Sequence, residues 1–146
     1  MMEAAVMTPP VMFGRNEQSD GAEYGIREVA EMLDISLRAI RFYEQKGLLS
    51  PPRDGRFRVY RQPEIERLRI VQNFRKIGLT IREIKTLFGE LHKASSDEKK
   101  IQVVNRYLER RLREIELDMS TLKDQEYQTI CMMQSEQVEA RVRQPA

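Results

Sequence analysis

The chain has 146 residues, a formal net charge of +2, one His and one Cys. A length near ~100–150 residues suits one domain plus an accessory element. A single thiol excludes an intramolecular disulfide, and no apolar run approaches the ~18 residues of a membrane span. The N-terminus lacks a basic start ahead of an apolar core, so no leader is read there and the cytoplasm is the expected compartment. Trp is absent, so the core must be built mainly from Leu, Ile, Val and Met.

The small net charge hides a division. Residues 1–23 carry −3; residues 24–88 carry +6, from fourteen Lys and Arg against eight Asp and Glu; residues 89–146 carry −1. A basic middle between acidic ends points to a polyanion partner for that middle.

Residues 1–23, with Pro9-Pro10, Gly14 and Gly21 and no sustained period, are expected to form a flexible tail. From Tyr24 a pattern begins. Ile26, Val29, Ala30 and Leu33 stand at i, i+3, i+4 and i+7, one face of a short helix. Asp34-Ile35 breaks it, and Ser36 is placed to cap a second helix carrying Leu37 and Ile40 inward. Lys46-Gly47 ends that helix. Two short helices across a tight turn make a helix-turn-helix. Phe42 is expected in the core, whereas Arg38 and Arg41, three apart, share the exposed face as on a groove-reading surface. Tyr43 has a ring that can pack and a hydroxyl that can reach a phosphate.

Asp54-Gly55 is a two-residue hairpin signal, and the alternation through Tyr60 predicts a small β-wing. That wing presents Arg53, Arg56, Arg58, Tyr60 and Arg61 to solvent. Pro63 suits the first turn of a third helix with Ile65, Leu68, Val71 and Phe74 inward, ended by Gly78. Thr80 and Glu83 form a capping box for a fourth helix burying Ile81, Ile84, Leu87 and Phe88, expected to stop near Gly89. Beyond residue 96, Ile101, Val104, Leu108, Leu112, Ile115, Met119 and Leu122 step by three and four. They predict a dimerisation helix over residues 96–134, with residues 135–146 a flexible C-terminal tail. One helix cannot cover its own stripe, and a second copy of the chain is the simplest cover. The expected fold is therefore mainly α: a winged helix-turn-helix DNA-binding domain over residues 24–90 and a long helix pairing as an antiparallel coiled coil.

The stretch from Tyr24 to Phe88 resembles the DNA-binding domain of the MerR family of bacterial transcription regulators. The matching features are I-R-E-V-A at 26–30, I-R-F-Y-E-x-x-G-L-L at 40–49, R-V-Y at 58–60 and I-G-L-T-x-x-E-I at 77–84. Three positions depart: Phe42 and Phe57 stand where the family usually has tyrosine, and Arg56 where it is often small or Asn-like. The resemblance implies a homodimer on double-stranded DNA at a pseudo-palindromic promoter. There it would bend and untwist an overlong spacer so that RNA polymerase engages both promoter elements. It also implies that Arg41, Tyr43, Arg58 and Tyr60 touch the backbone, that Arg38 reads bases, and that Arg53, Arg56 and Arg61 add charge. Metal-responsive members use several cysteines. With Cys131 and His92 alone, no metal site and no cofactor are expected, and an iron–sulfur cluster lacks its four thiolates.

Two other classes compete: an excisionase-like DNA-architectural protein, which shares the winged domain, and a coiled-coil interaction module with a merely basic surface. An enzyme is not expected. There is no phosphate-binding glycine loop and no nucleophile paired with a base.

Overall fold

The computed structural model describes residues 21–144, so residues 1–20 of the tail expected over 1–23, and the last two residues, lie outside the described part. The chain divides after Ser95 into two compact units.

The first unit contains α1 (Ile26–Leu33), α2 (Leu37–Gln45), β1 (Arg53–Asp54), β2 (Phe57–Arg58), α3 (Gln62–Lys76) and α4 (Ile81–Lys93). Each helix start satisfies backbone N–H groups that have no partner inside the helix. The Gly25 N–H donates to Glu28 Oε2 at 2.7 Å ahead of α1, and the Arg61 N–H to Glu64 Oε2 at 2.9 Å ahead of α3. Ser36 Oγ accepts from the Ala39 N–H at 3.1 Å, as expected for α2. The Thr80–Glu83 box is complete: the Thr80 N–H reaches Glu83 Oε2 at 2.8 Å and the Glu83 N–H reaches Thr80 Oγ1 at 3.2 Å.

The stops follow the same logic. α1 closes on Asp34 in the left-handed region, φ 49°, one of the few conformations a short polar side chain tolerates there. Gly47 (φ +77°) and Gly78 (φ +92°) end α2 and α3 at the same kind of position. Gly89 does not end α4, which runs on to Lys93. A helical glycine costs only about 1 kcal/mol, and Leu91 sustains the packing face past it.

Val29, Ile40, Leu49, Tyr60, Ile65 and Leu68 form one buried cluster, with Tyr24, Ile26, Leu33 and Tyr43 packed around it. Gln72 Nε2 donates to the Leu33 carbonyl at 3.0 Å and ties α3 to the end of α1. Arg67 Nε donates to the Leu48 carbonyl, and its guanidinium stacks 4.0 Å from the centre of the Phe88 ring. Burial lowers the pKa of that guanidinium.

The wing is an antiparallel pair with Arg53 opposite Arg58 and Asp54 opposite Phe57. Its two-residue loop is Gly55-Arg56, one residue later than the Asp54-Gly55 signal places it. Gly55 has φ +61° while Arg56 has no positive φ, the arrangement of a turn with glycine first. At the base of the wing, the Tyr24 and Tyr60 backbones exchange two hydrogen bonds of 2.9 Å.

The second unit is α5 (Asp97–Arg143), a 47-residue helix capped by Ser96 Oγ on the Lys99 N–H. It continues through residues expected to fray, to Arg143. Of the expected seam, Val104 is buried at 4% exposure, whereas Ile101, Leu112, Met119 and Leu122 are 52–62% exposed. Ile130 and Met133 prolong the same line of exposed side chains. No described helix is long and apolar enough to cross a membrane.

Candidate nucleic-acid interface

The second helix carries the first half of the interface. Burying Ile40 turns Arg38 and Arg41 outward, and both are exposed. Phe42, expected in the core, is instead 41% exposed, with the Lys46 ammonium 5.5 Å from its ring centre. The core takes Tyr43 on that side instead: its ring packs half-buried against the central cluster. Phe42, one residue earlier, is therefore rotated away by the helix period.

The wing carries the second half. Arg53 and Arg56 are exposed, and Phe57 is 79% exposed at the tip. Tyr60, expected on the exposed wing as a backbone contact, is wholly buried at 0% exposure. The bridge to Tyr24 turns its ring into the cluster, so its side chain offers no surface to a groove. Its hydroxyl has no hydrogen-bond partner among the described residues. Burial, and after it the charge of Glu44, pushes the pKa of the phenol up.

Two of the arginines are neutralised within the chain. Arg58 Nε stands 2.6 Å from Glu44 Oε2 on α2, and neither atom has a further partner. The hydrogen bond and charge of Glu44 raise the pKa of that guanidinium above its ordinary value. Arg61 Nη2 stands 2.6 Å from Glu23 Oε1, which raises its pKa in the same way. Arg38, Arg41, Arg53 and Arg56 have no such partner among the described residues.

A cleft of about 590 Å³ lies between the start of α1, α2 and the wing, and Arg27, Arg41, Arg56 and Arg58 all line it. Arg27, outside the expected set, is exposed and likewise without an acidic partner among the described residues. It follows Ile26 in the first turn of α1, and its place within I-R-E-V-A is the signal that could have found it. The cleft is open, four of its eleven lining residues are arginines against the two carboxylates of Glu23 and Glu28, and the positive end of the α1 dipole adds to it. Such a surface takes a chain of phosphates better than a small apolar ligand.

No group of three or more His, Cys, Asp and Glu among the described residues could hold a metal ion. Cys131 is a free, half-buried thiol on α5.

Comparison with known proteins places this geometry. The family described as MerR HTH family regulatory protein matches residues 24–91, and that described as MerR, DNA binding matches residues 65–130. An HTH-type transcriptional regulator of Haemophilus influenzae, a ZntR homolog, is 32% identical over 92 residues. That match spans 62% of this chain and 66% of the relative, slightly under two thirds of its length. The transcriptional regulator CueR of Salmonella typhi is 33% identical over 115 residues, 75% of this chain and 79% of that one. Among solved structures, the regulator PbrR691 of Ralstonia metallidurans CH34, determined with lead(II), superposes with a TM-score of 0.65 at 24% identity. It covers 77% of this chain and 86% of that one, a likeness of fold. Matches of this length to regulators, on a winged fold whose arginines stand largely unneutralised, show that the chain belongs to the MerR family of DNA-binding transcription regulators.

Proposed function

We propose that the protein acts as a homodimer on a pseudo-palindromic promoter, with one recognition helix and one wing per half-site. Arg38 reads base edges, and Arg27, Arg41 and Arg56 hold phosphates through the cleft they line. Tyr43 adds a hydroxyl, Arg53 adds charge at the wing, and Arg61 supports the wing base through Glu23. The apolar stripe of α5 supports pairing through the exposed Ile101, Leu112, Met119 and Leu122 and the half-buried Leu108 and Ile115. Once paired, the two domains distort the promoter spacer, a deformation of several kcal/mol that phosphate contacts must offset. RNA polymerase is the partner that benefits, and the cytoplasm is where both work.

The observation that carries this reading is the alignment of unpaired guanidiniums from three elements, α1, α2 and the wing, along one cleft. Nuclease footprinting of the purified protein on the DNA upstream of its own gene tests it. The expected result is a two-fold symmetric protected block with hypersensitive central steps. Protection without central hypersensitivity would remove the spacer distortion and leave a plain repressor. An absence of protection even at low salt would remove that DNA as a target.

A further inference from the structure

A carboxylate on a helix that faces DNA repels every phosphate nearby, so its presence calls for a reason. Glu44 lies on α2 between the exposed Arg41 and the core, and its side chain is 20% exposed. It meets Arg58 Nε at 2.6 Å, on the one strand of the wing that faces the cleft. The other ion pair of this surface, Glu23 with Arg61, has side chains 44% and 53% exposed, so water and salt screen it. The Glu44–Arg58 pair is more enclosed and less screened. A guanidinium held this way has its charge already matched before DNA arrives.

We propose that Glu44 is an internal competitor for DNA: its carboxylate occupies Arg58 in the free protein, and the wing engages the backbone fully only when a phosphate takes the carboxylate's place. The inference rests on the DNA-binding reading and adds to it a residue that sets how readily the wing binds. The exchange has a place for the displaced group. The Tyr60 hydroxyl is buried without a partner among the described residues, in the field of both Glu44 and Arg58. It is a donor for the carboxylate once Arg58 has turned outward. The free state is thus a neutral pair beside an idle hydroxyl. The bound state is a guanidinium on phosphate and a carboxylate on the phenol. Weak, non-specific encounters that cannot bring a phosphate to the wing leave the pair closed.

Glu44→Gln keeps the shape and an acceptor for Arg58 but removes the competing charge. Binding of a mixed-sequence duplex of about 30 base pairs is measured by fluorescence anisotropy across a salt series for wild type, Glu44→Gln and Glu44→Gln/Arg58→Met. Glu44→Gln should bind at least about eightfold tighter at 0.1 M salt, the value of a single freed guanidinium, and about 60-fold tighter where both chains of a dimer contribute one. The Arg58→Met change in that background should abolish the gain. A passive structural role gives the opposite sign, since loosening the wing weakens binding. Equal or weaker binding by Glu44→Gln, with wild type binding normally, overturns the competition and leaves the DNA reading intact. A wild type that binds no duplex at any salt overturns both. If Glu44→Gln does not fold, Glu44→Asp shortens the reach to Arg58 and should tighten binding by an intermediate factor; unchanged affinity would sink the proposal equally.

Discussion

Arg41→Ala is the sharpest test of the cleft. Arg41 is exposed on α2, lines the cleft and has no acidic partner among the described residues, so its removal breaks no contact within the fold. Alanine also favours the helix. If Arg27, Arg41, Arg53 and Arg56 each neutralise one phosphate, a dimer neutralises about eight, and log K should fall with log salt at a slope of about −7. Losing Arg41 from both copies removes about two, flattening the slope to about −5.4. Between about 50 and 200 mM salt, wild type should lose roughly 20,000-fold in affinity and the variant roughly 2,000-fold. Anisotropy titrations at four or more salt concentrations resolve that difference, and a thermal melt establishes that the variant is folded. A folded Arg41→Ala protein with the wild-type slope would show that this guanidinium meets no phosphate.

Three further outcomes are expected. Gly89→Ala should stabilise the domain by about 1 kcal/mol, because Gly89 is helical, has no positive φ, and an added Cβ meets nothing within 4 Å. A rise in Tm of about 4–8 °C would register this, whereas a fall would mean that the position is covered in solution. Tyr60→Phe deletes a buried hydroxyl without a partner among the described residues. It should leave stability unchanged or raise it by about 1 kcal/mol in urea unfolding, while weakening duplex binding, because the Glu44 carboxylate displaced by a phosphate loses its donor. A loss of about 2 kcal/mol would reveal a partner for that hydroxyl. Leu112→Glu places a charge on a side chain 57% exposed in the single chain, so the fold should survive while sedimentation reports monomers. Persistence of a dimer would move the seam elsewhere.

Features that depend on local chemistry are legible in the sequence. The inward faces of α1, α3 and α4, the Ser36 cap and the Thr80–Glu83 box rest on residues at most a few turns apart, and each agrees with the expectation except at Ile81, which opens α4 half-buried. The misplaced features depend on distant partners or on small energies. Tyr60 is buried because Tyr24, thirty-six residues earlier, pairs with its backbone. Arg58 is neutralised by a carboxylate on another element. Arg27 joins the arginines only when the start of α1 closes one side of the cleft. Helix α4 passes through Gly89, and α5 keeps its last turns, because a penalty of about 1 kcal/mol per glycine or frayed end is easily outweighed by helix continuity.

The bridge between Tyr24 and Tyr60 has a mechanical consequence. Two backbone hydrogen bonds of 2.9 Å clamp the root of the wing to the segment that leads into α1. A load applied at the tip therefore passes into the helical body as torque, and compliance is confined to the few residues between Arg53 and Val59. Of these, Gly55 and Arg56 bear no packing load, since nothing lies within 4 Å of a side chain added at Gly55 and Arg56 is exposed. The tip is the replaceable end of a stiff lever: Arg56 can change to suit another groove while Gly55 keeps the turn and the fulcrum stays fixed.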